Sequence, residues 1–316
     1  MSEAIITSNH WLIITNPRAG KRQFMGQINY VKSELKKANI PYIFKITEYS
    51  GHAVEIAKQY TRRGCMNFLV LGGDGSISEV INGIFLAEPE DTTKIKIALM
   101  PRGTGNDWGR FWNLKKKDVR SMEIFLKGKS RLIDIGKLNY RTADNQESSH
   151  YFVNSVGFGL DAEVVDLTHK LKKMVGSYSF LYAVSLVLAV FRYKSVPAKL
   201  TINQEAVMPL KLFTMNIANG PFSGGGIKQN PTAVPYDGIF DMMVVEKPTI
   251  GDIFSILPLI FSDKLAAHRA IRSLTAKQID VHIEQEMPVE ADGILVPNAH
   301  NCKISILPDT LNMIIP

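Results

Sequence analysis

The sequence predicts an α/β protein of two domains, a three-layer α/β domain over residues 1–133 and a mainly antiparallel β-sandwich over 134–305. Two observations carry this. In the first third, short apolar runs alternate with helix-period stripes, the pattern of a parallel sheet covered on both faces. Near Arg131 the pattern changes to closely spaced β-type runs separated by turn residues, as antiparallel domains show. A chain of 316 residues, 45% hydrophobic and 21% charged, can bury two separate cores.

The elements follow in order. His10–Thr15 reads as a buried strand closed by Asn16-Pro17, and Phe24, Ile28, Val31, Leu35 and Ala38 form a stripe spaced by three and four. Tyr42–Ile46 is a second strand. Ser50 then caps a helix through Arg63, which Gly64 ends. Phe68–Leu71 runs into Gly72-Gly73-Asp74-Gly75, Ser76–Leu86 is helical, and Ile95–Met100 is a strand ended by Pro101. Beyond Arg131 the β-type runs are Leu132–Leu138, Tyr151–Val156, Ala198–Ile202, Leu212–Ala218, Ile239–Val245, Ile279–Ile283 and Lys303–Ile306. One helical insertion, about 160–193, interrupts them. Its apolar stretch Tyr178–Phe191 falls short of the roughly 20 residues that span a bilayer, and reads as a buried helix. The alternative is a helix lying on a membrane or lining a lipid pocket.

The net charge of +7 favours an anionic partner but does not choose among nucleic acid, nucleotide phosphate and an anionic membrane. No aromatic-basic motif supports nucleic acid. Cys65 and Cys302 make no CxxC pair, metal spacing or disulfide framework, which fits a reducing cytosol. The first residues lack the plan of a signal peptide.

The strongest local signal is LVLGGDGSISEVINGI, residues 69–84, a buried strand turning through glycines directly into a helix. Backbone N–H groups in such a turn, with the helix N-terminus, make a site for anionic phosphate. Asp74 would repel bare phosphate, so its place is facing a Mg²⁺ bound to that phosphate. The plain alternative is a tight turn capped by Asp74 or Ser76. In IALMPRGTGNDWGRFW, residues 97–112, Arg102 suits phosphate, Gly103, Thr104 and Asn106 cluster, and Asp107 suits a metal or an arginine. Two such loops at strand C-terminal ends mark the usual ligand crevice of an α/β sheet. A third loop offers Asn16, Gly20, Lys21 and Arg22 to phosphate, but Thr15 stands where a Walker loop needs glycine. GFGLDA, residues 157–162, matches GxGxxA but lacks a strand–helix–strand setting, so dinucleotide binding is set aside.

These segments, with NPRAG (16–20), IDIG (133–136), NSVGFGLDAEV (154–164) and NGPFSGGGIKQNPTAVPYDGIFD (219–241), occur in order along nearly the whole chain. Together they resemble the catalytic domain shared by diacylglycerol kinases, bacterial soluble lipid kinases, sphingosine kinases and ceramide kinases. The resemblance implies ATP-dependent, Mg²⁺-dependent transfer of the γ-phosphate to a hydroxyl of a membrane lipid such as diacylglycerol. It also implies a C-terminal tail, about 306–316, that returns to the first domain. By position, the resemblance gives Asp74 to the metal with Gly72, Gly73, Gly75 and Ser76 around the nucleotide, Thr104, Asn106 and Asp107 to the second nucleotide loop, Asp134 to a metal and water network, and Asp237 to a structural magnesium or, more plainly, an Asp-Gly turn. Asp292, in VEADGILVP, falls to the general base, against the alternative of a hairpin turn at Asp292-Gly293. The usual Asp-Gly-Glu is broken by Ile294, and Glu290 could take over the supporting role if the segment is extended.

Nicotinamide dinucleotide kinases and phosphofructokinases also use a GGDG loop, but PRGTGND and the β-rich second half favour lipid kinases. A catalytically weak lipid-binding regulatory protein is the other alternative. Lys115, Lys116, Lys117, Lys170, Lys172, Lys173, Arg192 and Lys194 are candidates for a patch facing an anionic membrane. The expected setting is cytoplasmic, peripheral at the inner membrane surface, as a monomer or a homodimer.

Overall fold

A computed structural model describes residues 9–17, 24–115, 120–142, 146–175 and 180–316, so Gly20, Lys21, Arg22, Lys116 and Lys117 lie outside the described residues. The chain divides into two compact units, one running to Ile133 and including Asp309–Pro316, the other Asp134–Pro308.

The first unit runs β1 (Trp11–Thr15), α1 (Phe24–Lys37), β2 (Tyr42–Ile46), α2 (His52–Arg62), β3 (Asn67–Gly72), α3 (Asp74–Phe85), β4 (Lys96–Pro101), α4 (Asp107–Phe111) and α5 (Arg120–Lys127). Strand order is β2-β1-β3-β4, all parallel. The central strands are continuous apolar runs because both faces are covered. The stripe residues Val31 and Leu35 pack with Ile13, Leu69 and Leu71, joined by Met122 and Phe125 of α5. Helix α2 starts one residue later than Ser50 capping predicts. Gly51 occupies the cap at φ 87°, with no side-chain cap bond, and Glu79 of α3 accepts its N–H.

The second unit runs β5 (Lys129–Thr142, starting just before the boundary), β6 (Glu147–Phe152), β7 (Ser155–Gly159), α6 (Leu160–Val175), α7 (Leu181–Val190), β8 (Val196–Ile202), β9 (Met208–Ala218), β10 (Phe240–Glu246), α8 (Ile250–Ile256), β11 (Ile271–Ala276), β12 (Gln278–Ala291) and β13 (Ile294–Ile315). Neighbours in the order β11-β10-β9-β7-β12-β13 are antiparallel, β8 pairs with β9 and β12, and β6 pairs with β5. Phe152, Phe158, Phe240, Ile217 and Val289 are core, with the Phe152 and Phe240 rings stacked at 5.6 Å. The last part of β13 belongs to the first unit, where Asn312 and Met313 pair parallel with Lys96 and Ile97 of β4.

The helical insertion consists of α6 and α7. One feature of this half differs from the sequence reading. The run Tyr151–Val156 is two strands, because the N–H groups of Val153, Asn154 and Ser155 turn away from strand pairing to the carboxylate of Asp292.

Candidate functional site

Parallel β1, β3 and β4 end on one edge, so the segments at Asn16, Gly72–Ser76 and Arg102–Asn106 emerge together. The Thr15 hydroxyl donates to the Leu71 carbonyl at 3.1 Å, and the Arg102 N–H donates to the Gly72 carbonyl at 2.7 Å. Gly73 and Gly103 meet backbone to backbone. A Cβ on Gly73 would lie 2.7 Å from the Gly103 Cα, and one on Gly103 would lie 2.6 Å from the Gly73 Cα, so neither position admits a side chain. Gly73 is the N-cap of α3, Asp74, Gly75 and Ser76 form its first turn, and Thr104 is exposed. Neither Asp74 nor Ser76 caps that helix. Asp74 instead caps α4, accepting the Trp108 N–H at 3.0 Å and those of Asn106 and Asp107.

Burial pushes the Asp74 carboxyl above its ordinary range, against the pull of those N–H groups. The Asn106 amide nitrogen donates to the Gly103 carbonyl at 2.8 Å, and its Oδ1 is buried without a donor. Arg102 is 2% exposed, and burial lowers its guanidinium pKa, so an anion here would relieve it. Asp107 is 5% exposed, its Oδ1 3.7 Å from Arg110 Nε. The arginine foreseen as a partner for Asp107 is thus Arg110.

Among the described residues no three acidic, histidine or cysteine side chains gather as a metal site. In the second unit, Asp134 is 1% exposed and accepts the Gly238 N–H at 2.8 Å, while Asp237 accepts the Ile239 N–H at 3.2 Å. Burial first, and Asp241 second among the raising causes, push the Asp237 carboxyl up.

Asp292 and Gly293 are the two residues of the β12–β13 hairpin, at φ 51° and 77°, the left-handed pair that a tight primed turn requires. The Asp292 carboxylate accepts from Val153 at 2.9 Å, Asn154 at 2.8 Å and Ser155 at 3.1 Å. The extended segment assumed for Glu290 and Asp292 is therefore a turn. Glu290 still supports it, because its Oε2 accepts the Gly293 N–H at 2.7 Å.

Sequence reasoning missed Asp161, in the first turn of α6 within the GFGLDA segment. Asp161 is buried and accepts from Asn216 at 2.9 Å, Gln229 at 3.1 Å and the Tyr182 hydroxyl at 3.5 Å. A Cβ on Gly157 would lie 2.6 Å from Glu290 Oε1 and 2.7 Å from Asp161 Oδ2, so two buried carboxyls converge over that glycine. The signal was Gly157 four residues before Asp161, a strand glycine leaving room for the first helical turn. Asp161 also lines a pocket, with Tyr182, Thr214 and Gln229. The rest of its wall is apolar, including Leu186, Val190, Phe213, Ile253 and Leu257.

Two family models match the chain. Residues 10–138 match the diacylglycerol kinase catalytic domain, and residues 154–315 match the YegS C-terminal NAD kinase beta sandwich-like domain. The chain belongs to the diacylglycerol kinase catalytic-domain family. It is a lipid kinase. A diacylglycerol kinase of Staphylococcus carnosus is 28% identical over 283 residues, covering 89% of this chain and 87% of that one. A crystal structure of a diacylglycerol kinase from Bacillus anthracis superposes with TM-score 0.70 at 21% identity, over 98% and 97% of the two chains. Yeast NADH kinase shares the fold at TM-score 0.55 and 11% identity, over 97% and 83%.

The helices that line the lipid kinase's cavity also present an apolar outer face. On α7, Leu181, Ser185, Ala189 and Val190 are buried, whereas Val184, Val187 and Leu188 are exposed, as is Phe191 just beyond. The reading of this stretch as a buried helix thus holds for one side only, the other side being exposed. On α8, Ile250 and Phe254 are exposed, and the Phe191 and Phe254 rings lie 5.6 Å apart. Of the basic candidates, Lys170 pairs with Asp166 at 2.5 Å and Lys172 is half-buried, while Lys115, Lys173, Arg192 and Lys194 are exposed. No helix among the described residues is long and apolar enough to cross a membrane.

Proposed function

We propose that the protein transfers the γ-phosphate of ATP to a hydroxyl of a membrane lipid such as diacylglycerol, with Asp292 taking the hydroxyl proton. The observation that carries this reading is the pocket of the second unit, whose lining is apolar apart from Asp161, Thr214, Gln229 and the Tyr182 hydroxyl, which suits a greasy molecule with a polar head. The Gly73–Gly103 junction lets phosphates approach backbone N–H groups, and Arg102 supplies positive charge. Asp74 and the donorless Asn106 Oδ1 are oxygen ligands that suit Mg²⁺. When bound, that ion neutralises charge on the transferring phosphoryl group. Asp134 and Asp237 use their carboxylates on the turn near Gly238, so we assign them a structural role. Three N–H bonds fix Asp292 in place. Phosphoryl transfer asks chiefly for positioning, which those bonds supply.

Labelled ATP presented with a panel of lipids in mixed micelles should label a lipid hydroxyl. Label on a nicotinamide dinucleotide or a sugar phosphate instead would replace this reading.

The outer face of α7 and α8, with Lys173, Arg192 and Lys194 exposed in the same unit, suits docking on an anionic bilayer from the cytoplasmic side. A phenylalanine fully removed from water contributes about 1.5–3 kcal/mol. The double change Phe191→Ser, Phe254→Ser should weaken binding to anionic vesicles about 100-fold. Wild-type binding should also fall with salt. Equal vesicle affinity in both proteins would remove this face from the account.

A further inference from the structure

The pocket of the second unit is walled in part by two helices, and each turns one apolar row inward and a neighbouring row outward. On α7, Leu186 and Val190 line the pocket, while Val187 and Phe191, one step round, are exposed. On α8, Ile253 and Ile256 line it, while Ile250 and Phe254 are exposed. Residues four apart share a helix face, so Leu186 with Val190, Val187 with Phe191 and Ile250 with Phe254 form strips. Apolar surface therefore runs from the outer side of each helix to the pocket wall. No charged side chain occurs on α7, and its Ser185 is buried and donates to the Leu181 carbonyl at 2.8 Å.

The two helices are fastened to different neighbours. Among the described residues α7 packs along α6, with Leu181, Ser185 and Ala189 buried, and only sparsely against α8. α8 is tied to the segment before β11. Its one charged residue, Asp252, accepts from Arg269 Nε at 3.0 Å and Nη2 at 2.9 Å, and Ser255 Oγ lies 2.9 Å from His268 Nε2. Charge-assisted bonds of this kind hold α8 without using α7. At the outer edge of the seam the Phe191 and Phe254 rings meet at 5.6 Å, tilted by 51°. That contact is dispersion alone, and parting it strands no polar group.

We propose that the seam between α7 and α8 is the portal through which the acceptor lipid's acyl chain passes from the bilayer into the pocket, with Phe191 and Phe254 as its two leaves. The face that docks on the membrane is then also the face that opens. A chain crossing there moves between two apolar media without being wetted. This rests on the reading of the pocket as the acceptor's, and it adds the route by which that pocket fills.

A portal changes the rates of entry and exit by one factor and leaves affinity alone, whereas a residue that holds the lipid changes affinity. The double variant Phe191→Cys, Phe254→Cys, joined by a short bis-methanethiosulfonate, locks the seam until a reductant frees it. Cys65 and Cys302 are buried, so the reagent meets the introduced thiols. The probe is a monoacylglycerol with a fluorescent conjugated tetraene chain, dissolved below its micelle concentration so that membrane docking plays no part. Cross-linking should slow its entry and exit about tenfold or more, with Kd unchanged, and reduction should restore both rates. Phe254→Ala, which removes one leaf, should speed both. Equal rates in the locked and reduced proteins overturn the portal and leave the pocket and the kinase reading standing. A changed Kd with unchanged entry also overturns it, because the rings would then belong to the binding site. No uptake by the reduced protein overturns it together with the lipid pocket, while the labelled-ATP assay decides the kinase reading separately.

Discussion

Asp74→Asn should lower turnover about 100-fold or more, the scale of losing one electrostatic partner of the transition state. The asparagine Oδ1 keeps the Trp108 N–H bond, so part of the cap on α4 survives. The charge is what disappears. Burial raises the Asp74 pKa, so the folded protein holds that proton more tightly than the unfolded chain. Its contribution to stability is full below the unfolded carboxylate pKa and is lost as pH rises through the folded value. Asp74→Asn should flatten that part of the fall when melting is followed against pH without added metal. Wild-type turnover in the mutant would remove Asp74 from the ion site.

Asp292→Asn should be more damaging. Transfer should fall about 100-fold to 10,000-fold, the usual worth of a positioned general base. Here the fold suffers too. An amide in place of the carboxylate sets an NH₂ against backbone N–H groups of Val153, Asn154 or Ser155, and a buried donor so stranded costs about 1–3 kcal/mol. Calorimetric melting and ATP binding separate the two effects: a lower melting temperature with unchanged ATP affinity and lost transfer is the expected set. Full transfer in a stably folded mutant would eliminate Asp292 as the base. Ile294→Glu should bring no gain, since Glu290 already supports the turn from the other strand.

The first unit was legible because its signals are local. A strand buried on both faces is a continuous apolar run, and the loops at Gly72-Gly73 and Arg102-Gly103 announce themselves by glycine and by position after a strand. The second unit hides its site in long-range contacts. Val153–Ser155 reads as strand, and only a carboxylate 137 to 139 residues away breaks it. Asp161 went unnoticed because its segment was weighed as a dinucleotide motif and dismissed, which left its acid without a role. Asn216 and Gln229 carry no local pattern; strand register and the long segment after β9 bring them to Asp161. Which side of α7 is exposed was not legible for a simpler reason, since an all-apolar helix gives no periodicity to show which face is buried.

The end of β13 has a consequence for how the protein is made. The β4 edge of the first unit is covered by Asn312 and Met313, and Leu311 and Met313 are completely buried there. During synthesis, residues up to Ile133 leave the ribosome well before that strand exists, because residues 134–308 come between. At ordinary elongation rates the edge stays bare on the order of ten seconds or more. An uncovered parallel strand is a template for pairing with other chains, so this interval is when the nascent protein is most exposed to aggregation. Substitutions at Leu311 or Met313 should therefore reduce the yield of folded protein in the cell more than their contribution to final stability would suggest.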